Sequence, residues 1–303
     1  MAVTTAVYFF PEKKWFWYFF YLVLALYSDY LPWLMIPVFL FWSRKNSKLL
    51  IAHLSLLILF LPWLPFFWQQ LRIGTSAASN APLWGQVVGG LEIKSVPLLF
   101  VKFIIGRISL ADKTFYTIVM LPILAVYGYT LARARNLKLG IWLVTPILIG
   151  VLVSFKIPLF SYFRFLFVLP AFVLLLAQGS QKNKWLCANV LLVSVISLAI
   201  FNLNPSLQRE DWRSTIAFIH SHPGLVLLPS LAQVSPVQYY APNQLVQDKN
   251  SVNLGNNKNV YRLRYVQEIF DPSDSLRSTL EKNHYRQVEQ RNFNGVIVWR
   301  YEL

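Results

Sequence analysis

The chain has 303 residues, 56% of them hydrophobic and only 14% charged, with a mean hydropathy of +0.46; a water-soluble globular protein is nearer 45–50% apolar and ~25% charged, so these charges cannot cover a water-facing surface and the chain belongs in a lipid bilayer. A single cysteine, Cys187, excludes an internal disulfide framework and a cysteine-ligated metal site. The formal charge of +15 is uneven, with 17 Lys and Arg against four Asp and Glu in residues 1–202 and 11 against nine in residues 203–303; the excess sits in the apolar part, where basic residues set topology, and the tail lacks the interleaved basic and aromatic residues of a nucleic-acid binder.

Residues 1–202 read as a multi-pass membrane domain. A helix needs about 20 residues to cross a ~30 Å hydrocarbon core, and apolar runs at 15–42, 49–71, 115–132, 139–155, 165–178 and 185–201 are candidates. The first is flanked by Lys13 and Lys14 on one side and by Arg44, Lys45 and Lys48 on the other, so the positive-inside rule puts both its ends in the cytoplasm. Its midpoint carries Asp29, which would cost several kcal/mol at the centre of one spanning helix. Two short helices are therefore expected, with Asp29 at an outer turn and Pro32 opening the second. This gives about seven segments.

The loops then alternate. Arg133, Arg135, Lys138, Lys182 and Lys184 fall inside, while loops 72–114 and 156–164 and the tail after residue 202 fall outside. Within the first outer loop, the stretch 98–110 is apolar but interrupted by Lys102 and Arg107, as in an amphipathic helix lying on the interface. His53, one turn into a helix near the cytoplasmic side, reads as interfacial.

Residues 203–303 read as a small extracytoplasmic α/β domain. Glu210 and Asp211 precede Trp212, Ile216 and Ile219, whose spacing makes one helical face with acids at its dipole-positive end. An apolar run at 224–228 has the character of a buried strand. A stretch punctuated by Pro236 and Pro242 and a polar loop at 247–258 come next, followed by a helix from Asp271 through Lys282 and alternating strands at 285–289 and 295–301. The tail has no Gly-rich phosphate loop and no His pair at ligand spacing. His220 and His222 read as dipole partners at a helix end.

Ionisable groups at membrane depth are the candidates for chemistry. Asp29 at the outer turn suits orienting a hydroxyl or binding a cation, or simple interfacial solvation. Lys156, Tyr162 and Arg164 cluster just outside a helix running back through Pro170. Arg offers a planar fork and Lys a point charge, a pair suited to a lipid-linked phosphate at headgroup level or to plain headgroup anchoring. Lys102, Arg107 and Lys113 admit the same two readings. No metal-ligand set is evident, and a divalent cation stays open.

Four short motifs occur in a set order: Tyr27-Ser28-Asp29-Tyr30, Leu61-Pro62-Trp63-Leu64-Pro65 ending a helix, Tyr162-Phe163-Arg164-Phe165 leading to Leu169-Pro170, and Glu210-Asp211-Trp212-Arg213 opening the tail. In this order the chain resembles the C-terminal half of bacterial membrane glycosyltransferases of the GT-C superfamily, the protein O-mannosyltransferase-like glycosyltransferase family 39. The resemblance implies many transmembrane helices, an extracytoplasmic site, and transfer of a sugar from a polyprenyl-phosphate carrier to an envelope acceptor. It assigns carrier binding to Arg164 and Lys156, with Tyr162 and Asp29 beside them.

Two departures matter. The family commonly has Thr-His-Tyr or Thr-Lys-Gly where this chain has Ser28-Asp29-Tyr30, and Arg-Tyr where it has Arg164-Phe165. The family also carries its acid in a first extracytoplasmic loop to which nothing here corresponds, so the resemblance implies either a separately encoded N-terminal half or a gene start further upstream, and an inactive lone chain. Were the chain active alone, Asp29, Glu92 or Asp112 would be the acid. Rival readings are a non-catalytic membrane subunit or remnant whose tail binds an envelope partner, and a lipid-linked-sugar transporter, for which inverted repeats are expected and not found.

Overall fold

The structure, a computed structural model, describes residues 1–80, 90–110 and 112–303. It is mainly helical, with 65% helix and a small sheet near the C-terminus. The chain divides into two compact units, with the boundary between Ile200 and Phe201.

In the first unit, five helices among the described residues are long and apolar enough to cross a membrane: Ser47–Thr75, Lys113–Arg133, Leu137–Ser154, Tyr162–Ser180 and Lys184–Leu203. Their outward faces carry large apolar side chains such as Leu57, Ile118, Leu148, Leu152 and Leu191. A water-facing helix would carry charge there, so this is a membrane protein. Lys184–Leu203 buries no residue at all.

The first apolar run is broken as the sequence expects. Helix Trp15–Ser28 stops where Asp29 turns extended, at φ −157° and ψ 151°. A 3-10 turn, Leu31–Met35, follows with Pro32 in its first positions, and helix Ile36–Ser43 begins with Pro37. Each proline stands where no intrahelical N–H is required, so the chain restarts there and cannot run through. The 14-residue arm Trp15–Ser28 is about 21 Å long, shorter than a full span.

Two features of this unit differ from expectation. Helix Ala2–Phe9 was not foreseen; it folds back on Trp15–Ser28 through a turn in which Lys13 takes φ +54°, burying Val3 and Ala6 and stacking Phe9 on Tyr21 at 5.9 Å. The segment Leu61-Pro62-Trp63-Leu64-Pro65 ends helix Ser47–Phe60 as expected, but the chain does not pass into a loop there. It forms one 3-10 turn, Leu61–Trp63, after which helix Leu64–Asn80 resumes. Pro62 and Pro65 each fall in the first turn of the element they open, where a missing N–H costs nothing. The outer loop expected at 72–114 therefore starts as helix; its residues 81–89 and 111 lie outside the described residues. Further on, helix Ser95–Ile105 sets Phe100 and Phe103 on Phe172 and ends at Gly106.

The second unit holds a mixed five-stranded sheet in the order β2-β1-β3-β5-β4. Strand β1 is Leu225–Leu228, β2 Val246–Asp248, β3 Asn259–Leu263, β4 Arg286–Phe293 and β5 Val296–Glu302. β2, β1 and β3 run parallel, while β5 is antiparallel to β3 and β4. All four residues of β1 are buried because both sheet faces are covered. Val226 and Leu228 meet Ile216 and Ile219 of helix Trp212–Ser221 on one face. Leu225 and Leu227 meet Leu276 and Leu280 of helix Ser275–Lys282 on the other. The β4–β5 hairpin turns through Asn294 and Gly295, both at positive φ, the sequence pair such a tight turn favours.

Candidate functional site

Three of the four sequence motifs meet at one end of the membrane unit. Tyr27 donates its hydroxyl to the Leu59 carbonyl and packs edge-on against Trp63 at 6.1 Å. The Trp63 ring N–H donates to Tyr30 Oη at 2.9 Å, and Tyr30 in turn donates to Gln70 Oε1 at 2.7 Å. Trp33 packs on Phe60 at 4.6 Å. The motif at 27–30 is thus fastened to the proline turn at 61–63. The Leu31–Met35 turn also packs against the 3-10 turn Tyr162–Val168.

The 3-10 turn holds Arg164. Phe165, fully buried, anchors it: its ring lies where a Cβ on Gly150 would stand, 2.3 Å from that position. Phe160 packs on the same ring at 4.9 Å. The Arg164 N–H donates to the Ser161 carbonyl at 3.0 Å, which fixes the backbone under the side chain. The sequence placed Arg164 just outside a helix; the structure places it inside the turn that opens the span Tyr162–Ser180.

Among the described residues the Arg164 guanidinium forms no hydrogen bond or ion pair. Its neighbours are the Phe163 ring at 5.9 Å and the charge of Asp29, which acts on it across a longer gap. Asp29 itself accepts the Leu31 N–H at 3.1 Å and so caps its own turn while remaining exposed. The structure thus brings Asp29 and Arg164 together from 135 positions apart. Tyr162 is half-buried and pairs with the Phe163 ring at 5.7 Å. Lys156, at the C-terminal end of Leu137–Ser154, is exposed and unpaired among the described residues, and no contact joins it to Arg164.

The other two acids are engaged locally. Glu92 pairs with Lys94 at 2.7 Å. Asp112 caps helix Lys113–Arg133 by accepting the N–H groups of Thr114 and Phe115 at 2.8 and 3.1 Å. Lys102 donates to the Ile108 carbonyl at 2.7 Å and is not free for a ligand. Among the described residues, no group of three or more His, Cys, Asp and Glu is placed to hold a metal ion.

His53 is packed inside the membrane unit, not exposed on its helix. It is fully buried, with Nε2 2.6 Å from Tyr18 Oη and Nδ1 2.6 Å from the Leu49 carbonyl, stacked on Phe39. Its apolar helix hid this, because the partner Tyr18 belongs to a different apolar run. The Tyr30, Trp63 and Gln70 chain was missed for the same reason; the aromatic residues in both motifs were its only trace.

In the second unit, Asp211 caps helix Trp212–Ser221, accepting the Ser214 N–H at 2.9 Å, and its hydrogen bonds from Ser214 hold the carboxyl below the ordinary range. His220 and His222 stand at the other end of that helix. Asp271 is 1% exposed. Burial pushes its carboxyl up, but hydrogen bonds from Ser275 Oγ at 2.7 Å, Ser275 N at 2.9 Å, Leu276 N at 3.2 Å and Gln267 Nε2 at 3.2 Å outweigh that and leave it lowered. These are structural duties. No known protein family, curated protein or solved structure matches the chain.

Proposed function

We propose that the chain is part of a membrane glycosyltransferase of the GT-C type, and that Arg164 holds the phosphate of a polyprenyl-phosphate sugar. The observation that carries this reading is an arginine fixed by a buried phenylalanine in a packed turn, with its guanidinium left unpaired at the end of an apolar span. An unpaired guanidinium at that depth is costly unless it snorkels to headgroup level or meets an anion. A phosphate satisfies its planar fork with charge-assisted hydrogen bonds. Lys156 adds a second cation, and Tyr162 a hydroxyl, on the same side of the bilayer. Among the three acids, Asp29 is the one whose charge is felt at Arg164, so it is the group suited to orient an acceptor hydroxyl.

The accompanying topology has about seven segments, with the turn at Asp29, the 155–164 loop and the tail outside the cell membrane. It is supported by the gathering of Arg44, Lys45, Arg135 and Lys138 around one recess, since the positive-inside rule assigns these residues to a single side. A tag after Leu303 should be open to protease in spheroplasts; protection would overturn the topology.

Binding of a polyprenyl monophosphate to the purified chain in neutral detergent tests the site itself. Arg164→Gln is expected to weaken it about tenfold and Lys156→Gln less, while the neutral polyprenol binds neither form. Equal affinity for phosphate and alcohol would sink the assignment. Binding without sugar transfer would give the chain the role of a non-catalytic subunit.

A further inference from the structure

At the end of the membrane unit opposite the Arg164 turn, a recess of about 600 Å³ is lined by Phe41, Trp42, Arg44, Lys45, Arg135, Asn136, Leu137, Lys138 and Gln178. Its place follows from the chain: Arg44 ends the helix that leaves the Leu31–Met35 turn, and Gln178 lies near the end of the helix that leaves the Tyr162–Val168 turn. Two loops about 90 residues apart in sequence supply four cations, and none of the four acids of residues 1–202 lines the recess.

The four cations form no ion pair or side-chain hydrogen bond among the described residues. One of them and one of the two loops are fixed in place. The Arg44 guanidinium lies over the Phe41 ring at 4.1 Å, and Asn136 fixes the second loop by accepting the Leu139 N–H at 3.2 Å. The floor is apolar and aromatic, and the ring N–H of Trp42 is buried without a partner among the described residues.

We propose that this recess binds the phosphodiester headgroup of an anionic phospholipid. The rim matches phosphate, with two planar forks and two ammonium groups. The floor of Phe41, Trp42 and Leu137 matches the glycerol and first acyl carbons, which a soluble phosphate lacks. A topology signal needs only net charge in the loops; Lys48, Lys182 and Lys184 carry charge in the loops assigned to the same side without lining the recess.

The full chain, purified in neutral detergent, is titrated with phosphatidylglycerol, cardiolipin or phosphatidylcholine, and bound lipid is read by native mass spectrometry. The anionic lipids are expected to bind and phosphatidylcholine not. Removing two rim charges in Arg44→Gln with Arg135→Gln should weaken anionic-lipid binding about thirtyfold. Lys182→Gln with Lys184→Gln removes the same charge outside the recess and should change it less than about threefold. Arg44→Lys with Arg135→Lys keeps the charge and should recover part of the binding, which separates a lost contact from a lost fold. Equal losses in the two glutamine pairs, no preference over phosphatidylcholine, or displacement by inorganic phosphate at the lipid's own concentration would each overturn the proposal.

Discussion

In residues 201–303 four of the eight arginines form ion pairs: Arg262 with Asp274, Arg277 with Glu281, Arg291 with Glu289, and Arg300 with Glu289 and Glu302. In residues 1–200 the sole ion pair among the described residues is Lys94 with Glu92, and the other cations have no acidic partner within salt-bridge distance. The contrast is sharpest between Arg262 and Arg164. Arg262 is fully buried, stacked 4.7 Å over Trp299 and bonded to Asp274; Arg164 is half-buried with its fork unoccupied. Half of the tail arginines are thus tied into ion pairs within their own fold, whereas almost all cations of the membrane unit lack an acidic partner, as the proposed roles in topology, lipid and ligand binding require. Mutational cost should divide along the same line.

The largest expected effect is Arg262→Ala. It removes one of the two arginines stacked 4.7 Å from Trp299, leaves a large cavity in place of a fully buried side chain and strips Asp274 of its ion pair, and should destabilise the tail by about 3 kcal/mol. Hydrogen exchange of peptides covering β1 and β3 in the full chain would report it as lost protection confined to the tail. Asp271→Asn should cost about 2 kcal/mol by the same readout, because an amide cannot accept all four hydrogen bonds that the carboxylate does.

The same carboxyls predict an acid limit. Asp211 and Asp271 are both held lower in the fold than in the unfolded chain, so their contribution is complete above about pH 5 and declines as pH falls through their folded values, below ~4. Tail protection measured against pH should drop in that window; a tail that weakened only as pH rose would reverse the sign.

In the membrane unit the expected cost shrinks. Tyr18→Phe removes the partner of buried His53 and should lower stability by about 1 kcal/mol, read as an earlier loss of helical circular dichroism on heating in detergent. Arg277→Ala in the tail breaks an exposed pair one helical turn apart and should leave tail protection almost unchanged, a pairing too weak to extend the contrast. Arg164→Gln should change stability least of all, by under ~0.5 kcal/mol, while carrier binding falls. An Arg164 variant that unfolded the chain would erase the distinction between the two units.

What could be read from the sequence was local. The break at Asp29 follows from one charge and one proline, helix Trp212–Ser221 from a three-residue spacing behind its acids, and β1 from four consecutive apolar residues. Elements set by distant partners were hidden. Strand β3 contains Arg262 and follows a polar stretch, and it becomes a buried strand because Asp274 neutralises that arginine and Trp299 stacks on it from elsewhere in the chain. Helix Ala2–Phe9 gains its place from aromatic contacts with Trp15–Ser28. At the candidate site, Arg164 was legible as a residue type at a membrane boundary. Its approach to Asp29 and the seating of Phe165 against Gly150 depend on which helices neighbour one another, and no local pattern encodes that.

Asp29 and Pro32 also bear on how the chain is threaded during synthesis. In the proposed topology the arm Trp15–Ser28 is too short to be recognised as a lone segment, so it enters the bilayer with Leu31–Ser43 as one hairpin and contributes an even number of crossings. With leucine at both positions the insertion machinery would meet a single unbroken apolar stretch and count one crossing. Every later segment would then be inserted upside down, and the domain built on the sheet would be left on the wrong side. In the proposed topology, two residues within the first 32 of the chain would act as a parity switch for all that follows.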